Sequence, residues 1–180
     1  MKALVVYESM FGNTEQVARE VAAGLAGRGV EVGVVVVGDA PTDLPGDLDL
    51  LVVGAPTHAF SLSRPATRAD AVRQGAVPDR AGPGVREWLE GLTSPQSHPP
   101  RVAAFDTRVS SVRWLPRAAG PAIARLARRR GLRVADAPTG FLVTAVGGPL
   151  ADGEITRARE LGERLADLLP AEPGPEGVPR

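Results

Sequence analysis

An α/β fold, a doubly wound five-stranded parallel sheet with helices on both faces, is the class this sequence predicts. Three observations point there. Short β-branched runs alternate with helical stretches along the whole chain. The runs are apolar throughout rather than at every second residue, as in strands buried on both faces. Each run ends in a Gly, Pro or polar loop before the next helix begins.

Ala3 to Tyr7 is the first strand. Val17, Val21 and Leu25 recur at helical spacing, so a helix follows from about Thr14 to Gly27. Val30 to Val37 is the second strand, Asp39 to Asp47 a loop or one short turn, and Leu48 to Gly54 the third strand. A long connection from Ala55 to about Pro83 comes next, in which Ala66 to Gln74 has some helical character. Its length exceeds the few residues usual between strand and helix, a sign of function. Val85 to Leu92 is helical, and Arg101 to Asp106 is the fourth strand.

Pro121 to Arg130 is a helix stopped by Gly131, with Arg128, Arg129 and Arg130 placed where cations suit the carbonyl end. That placement reads as helix termination on a solvated face rather than a binding patch. Leu132 to Ala135 and Phe141 to Val146 supply the fifth strand, broken near Pro138. Asp152 is the expected N-cap of a last helix whose apolar face is Ile155, Ala158, Leu161, Leu165 and Leu168. One domain over residues 1–169 is expected, followed by a disordered tail over 170–180, where Pro, Gly and Glu dominate.

Composition excludes several functions. The 180 residues contain no cysteine, which removes disulfide frameworks, iron–sulfur ligation and thiol chemistry. His58 and His98, the two histidines, are too far apart for a helical metal pair, and no metal site is expected. Basic and acidic side chains balance at 21 each, against the positive surface of a nucleic-acid binder. Lys2 is the single lysine, so 20 basic residues are arginines, a bias that codon usage explains. No apolar run approaches the ~18 residues of a membrane span, and no signal peptide is evident. A soluble, cytoplasmic protein is the expectation.

Doubly wound sheets bind ligands at the carboxyl ends of their strands, where the strand order reverses. The first such loop is Glu8-Ser9-Met10-Phe11-Gly12-Asn13-Thr14, set between a strand and a helix start. It can aim several backbone amides at one point and adds the positive end of the helix dipole, which together make an anion site. A nucleoside-triphosphate loop would need a lysine that is absent here, and no Gly-x-Gly-x-x-Gly follows a strand. The third strand ends in Gly54 rather than the aspartate of a receiver domain, and no Gly-x-Ser-x-Gly elbow of a hydrolase exists.

Ser9-x-x-Gly12-x-Thr14, preceded by Leu4-Val5-Val6-Tyr7, resembles the FMN-phosphate loop of flavodoxins. Its Phe11-Gly12-Asn13-Thr14 variant is similar to the flavodoxin domains of flavodiiron proteins. The resemblance implies a flavodoxin-like three-layer sandwich of strand order 2-1-3-4-5 that holds FMN. In flavodoxins FMN lies at the switch between strands one and three, and that placement is taken over with the resemblance.

It further implies that Ser9, Met10, Phe11, Gly12, Asn13 and Thr14 seat the phosphate. Pro56, Thr57, His58, Ala59 and Phe60 would border one face of the flavin, and Asp106, Thr107 and Arg108, at and just after the end of the fourth strand, would also contact it, Thr107 and Arg108 as donors to the pyrimidine edge. Thr57 can offer its backbone amide whichever way its side chain turns. His58 is either a flavin contact or a solvated loop residue, and Phe60 either a contact or an anchor for the long loop. Arg108 either donates to the pyrimidine edge or pairs with Asp106. The tyrosine that typical flavodoxins place over the outer face is missing, and Trp114 reads as loop packing rather than its substitute.

The implied function is electron transfer through non-covalent FMN, with no catalytic residue of its own. An FMN-dependent reductase of quinones or other small acceptors using NAD(P)H is the alternative, and a flavin-free scaffold a further one. An electron carrier is favoured over an enzyme. The redox partner, protein or small molecule, is left open, with neither nucleic acid nor membrane expected. The neutral surface departs from the acidic one of typical flavodoxins and argues against a strongly reducing shuttle.

Overall fold

The computed structural model describes residues 1–77, 82–93, 99–112 and 118–170. Of the tail expected over 170–180, residues 171–180 lie outside the described residues, as do His98 and Trp114. The strands are β1 (Lys2–Tyr7), β2 (Glu31–Val36), β3 (Leu50–Pro56), β4 (Arg101–Val109), β5 (Arg133–Val134) and β6 (Thr139–Val143). The α-helices are α1 (Asn13–Ala26), α2 (Pro65–Arg73), α3 (Val85–Gly91), α4 (Ala119–Arg129) and α5 (Glu154–Asp167).

The sheet runs β2-β1-β3-β4-β5, all parallel, which is the 2-1-3-4-5 order. β6 also pairs with β4 in parallel, beyond β5, so the fifth position is one strand interrupted at 135–138, as Pro138 implied.

Two apolar layers cover the sheet. On one face Val5, Tyr7, Val52 and Phe105 meet α1 and α5 through Val17, Val21, Leu25, Leu161 and Leu165. On the other Val6, Leu51, Val53 and Ala104 meet α3 and α4 through Leu89, Ile123 and Ala127. α1 and α5 press backbone to backbone: a Cβ on Gly24 would lie 2.1 Å from the Arg159 carbonyl oxygen, and one on Gly162 2.1 Å from that of Val21. Both glycines are needed for that approach.

Three expectations are corrected. β3 and β4 each run further than the sequence suggested, to Pro56 and Val109. They stay paired to Pro56–Thr107, so Thr107 and Arg108 are strand residues like Asp106, not a loop after the strand. The charge at Asp106 looked like a strand end, yet it is neutralised within the fold. Asp152 does not cap α5; Gly153, at φ 81°, holds the cap position without a side-chain bond. Ile155 and Leu168 are exposed, because the buried stripe of α5 is Ala158, Leu161, Gly162, Leu165 and Ala166. α4 does end at the arginines, with Gly131 at φ 79° and the Arg130 guanidinium on the Leu92 carbonyl.

Candidate functional site

The loop after β1 is built to expose its amides. Glu8 N–H donates to the Gly54 carbonyl (2.9 Å), carrying the β1–β3 ladder one residue further. Ser9 Oγ then accepts from the amides of Gly12 (3.1 Å) and Glu15 (3.3 Å), which folds the loop back on itself and leaves the hydroxyl proton for another acceptor. Gly12 turns the chain into α1 at φ 91°, a left-handed conformation that suits glycine, and brings no capping side chain of its own. The amides of Met10, Phe11, Asn13 and Thr14 donate to no acceptor among the described residues. Orphan amides at a helix start, with its dipole behind them, favour an anion.

The side chains of this loop differ in what they do. Met10 is buried against Ala71 and Ala76, with Phe11 packed beside it, so Met10 contributes backbone and an anchor. Thr14 Oγ1 lies 2.8 Å from Thr107 Oγ1, a pair that ties α1 to β4 and keeps one hydroxyl proton free. Asn13 packs against the turn after β6: a Cβ on Gly148, at φ 96°, would lie 2.3 Å from Asn13 Oδ1.

Across the cleft, Asp106 is 0% exposed and collects four donors. Arg108 reaches it through Nε (2.7 Å) and Nη2 (2.8 Å), Gly120 through its amide (3.0 Å) and Thr57 through Oγ1 (3.3 Å). Thr57 Oγ1 also accepts from the Ala119 amide (3.0 Å). Asp106 and Thr57 thus satisfy the first amides of α4. Burial holds the Asp106 carboxyl above its ordinary pKa, opposed first by Arg108 and then by the Gly120 amide and the Thr57 hydroxyl. Of the two expectations for Arg108, the ion pair is the one found. The Thr57 amide is also engaged, donating to the Thr107 carbonyl (2.8 Å).

His58 and Ser61 exchange backbone hydrogen bonds of 2.9 and 3.0 Å around a two-residue turn. Ala59 and Phe60 occupy its centre at φ 46° and 64°, each at a cost of about 1–2 kcal/mol for an L-residue. The turn carries Phe60 outward, 47% exposed and away from the cleft lining, so it neither borders the cleft nor anchors the segment. His58 does line the cleft, and burial lowers its pKa, against the opposing pull of Glu8.

These elements enclose a cleft of about 290 Å³. Of the residues singled out in the sequence, Ser9, Met10, Phe11, Asn13, Thr14, Pro56, Thr57, His58, Ala59, Thr107 and Arg108 line it, and Gly12, Phe60 and Asp106 do not. The sequence reading missed the wall given by α2 through Thr67, Asp70, Ala71 and Gln74, and the contribution of Val143 and Val146 beside β6. Pro65 at the first turn of a helix was a legible signal for the first, and Gly147-Gly148-Pro149 after the fifth strand for the second. Among the described residues no cluster of His, Asp and Glu could hold a metal, and no helix is long and apolar enough to cross a membrane.

The family model for flavodoxin matches residues 5–65. None of the curated proteins matches this sequence. Among solved structures, a flavodoxin from the domain Archaea is similar at a TM-score of 0.62 and 22% identity, covering 93% of this chain and 97% of that one. Oxidised flavodoxin 1 from Bacillus cereus gives a TM-score of 0.65 at 17% identity, over 93% of this chain and 98% of that one. The flavodiiron protein from Giardia intestinalis gives 0.58 at 19% identity, over 93% of this chain but 36% of its own.

Proposed function

We propose that this chain, flavodoxin-like in its fold and matched by the flavodoxin family model over its first third, binds FMN and passes electrons through it. The observation that carries the reading is the set of unengaged amides on Met10, Phe11, Asn13 and Thr14 at the start of α1, in residues that line the cleft. A phosphomonoester fits that donor set: its oxygens accept from several neutral N–H and O–H groups and its charge gains from the helix dipole, with no lysine required.

FMN supplies reversible uptake of electrons at its ring system. The chain's own residues do the rest. Backbone amides and the hydroxyls of Ser9 and Thr14 would hold the phosphate. Pro56, His58 and Ala59 would border the ligand from the β3 side, Thr107 and Arg108 from β4. α2, seated on Met10, walls the cleft from water. Asp106 fixes Arg108 and the start of α4, so the β4 wall is rigid before any ligand arrives.

An absorption spectrum after incubation with FMN and removal of the excess tests this. Retained flavin absorbance near one equivalent supports the reading; none retained leaves a flavin-free scaffold. The α2 wall favours a second reading, reduction of a quinone or similar small acceptor by NAD(P)H, because it extends the cleft beyond the loops expected to touch flavin. Anaerobic turnover with both substrates separates that enzyme from a carrier. The reading keeps the cytoplasmic setting expected from the sequence.

A further inference from the structure

The fixed charges of the cleft come in closed pairs. Asp70 is paired with Arg73, and Arg108 is held by both oxygens of Asp106. Among the described residues that line the cleft, this leaves His58 as the titratable side chain free to change charge. Behind it stand two buried charges, Glu8 and Arg68, and the half-buried Glu87.

At the end of β1, Glu8 is 2% exposed; its Oε2 accepts the Val85 amide at α3 (2.9 Å), and its Oε1 has no partner. On α2, Arg68 is 4% exposed, bonded to Ser63 Oγ (2.9 Å) and to Glu87 of α3 (3.3 and 3.4 Å), with Nε unpartnered. Gly84 leaves the room for this meeting, since a Cβ there would lie 2.5 Å from Arg68 Nη1, 2.8 Å from Ser63 Oγ and 2.9 Å from Glu8 Oε2.

We propose that His58 is the group with which this cleft balances the charge of a reduced flavin, taking up a proton when the flavin takes up electrons. The inference rests on the FMN reading. In the balanced step oxidised FMN gains two electrons and one proton and becomes an anion, while the His58 imidazole gains a second proton from solvent and becomes a cation. The net charge of the cleft is then unchanged.

Physical grounds support each half. Before reduction, burial disfavours the imidazolium, Glu8 and a backbone hydrogen bond with Thr67 oppose it and Arg68 adds to it, so the ring is held neutral in the field of a carboxylate that favours its protonation. Arg108, already held by both oxygens of Asp106, gives the anion no free counter-charge, and Asp70 carries the wrong sign to do so. A new anion in contact raises a histidine pKa by about 1–3 units, a proton affinity about 10- to 1000-fold higher. Glu8 acts through His58 and is a positioning residue.

The test first establishes FMN binding by absorbance titration; failure there removes the FMN reading itself. With FMN bound, the His58 ring is titrated by NMR in the oxidised and the dithionite-reduced protein, His58→Gln assigning its signals against His98. The expected result is a His58 pKa at least one unit higher after reduction, and lower in both states in Glu8→Gln. Each proton taken up per two electrons adds about 30 mV per pH unit to the slope of the midpoint potential, so between the oxidised-state and reduced-state pKa of His58 that slope should lose about 30 mV per unit in His58→Gln. FMN bound with the same His58 pKa in both states overturns the proposal, as does an unchanged slope. Should His58→Gln not fold, the titration of the native protein decides alone.

Discussion

Replacing Arg108 by glutamine should destabilise the protein by an amount that depends on pH in one direction. Asp106 is wholly buried and relies on four donors, two of them from Arg108. Removing one partner of a buried ion pair costs about 3–5 kcal/mol, because the remaining charge is left in a poor solvent. Arg108 is 17% exposed, and Gly120 and Thr57 stay in place, so the lower end, about 3 kcal/mol, applies. For a chain of this size that lowers Tm by about 6–12 °C.

The Asp106 pKa is raised in the folded state, so its contribution to stability is complete below the unfolded pKa and is lost as pH rises through the folded value. Without the guanidinium the folded value moves higher still. The deficit of Arg108→Gln relative to native protein should therefore shrink from pH 7 to pH 5 as Asp106 takes a proton. Adding Asp106→Asn should restore most of the loss at pH 7, since it removes the stranded charge. Thermal melts followed by circular dichroism at both pH values give the answer. A Tm within about 2 °C of native at pH 7, or a deficit that grows on acidification, would refute the reasoning.

Other perturbations test other parts of the account. Gly162→Ala should lower Tm by about 2–12 °C, since a Cβ 2.1 Å from the Val21 oxygen forces α1 and α5 apart; a rise, as helix propensity alone would give, would contradict the close approach. Phe60→Gly should raise Tm by about 1–4 °C by relieving the left-handed strain at an exposed position, whereas a fall would show that Phe60 anchors the segment. Ser9→Ala should weaken FMN binding about 10- to 150-fold, measured by fluorescence quenching, through loss of a charge-assisted bond of about 1.5–3 kcal/mol; unchanged affinity would move the phosphate elsewhere.

The strands and the first loop were legible because they rest on local pattern, while the strand order came only with the resemblance that the loop carries. Runs such as Leu51-Val52-Val53 are buried on both faces and so read as strands without their neighbours. The ends of β3 and β4 were not legible, because Asp106 is tolerated in a buried strand only through Arg108 two residues on and the distant amide of Gly120. Phe60 misled because an aromatic in a loop suggests burial, while the His58–Ser61 pairing that turns it outward is backbone geometry. The α2 wall depends on Met10 meeting Ala71 and Ala76, a contact across some sixty residues that no local period records. Asp152 lost the cap to its neighbour because Gly153 alone takes the left-handed turn there.

The most direct measurement of the central claim is a calorimetric comparison of FMN with riboflavin, which share the ring system and differ in the phosphate. If the amides of Met10, Phe11, Asn13 and Thr14 and the Ser9 hydroxyl seat that phosphate, riboflavin forfeits at least two charge-assisted bonds, about 3 kcal/mol or more. FMN should then bind near one equivalent and riboflavin at least about 100-fold more weakly. Equal affinities, or no binding of FMN, would contradict the account.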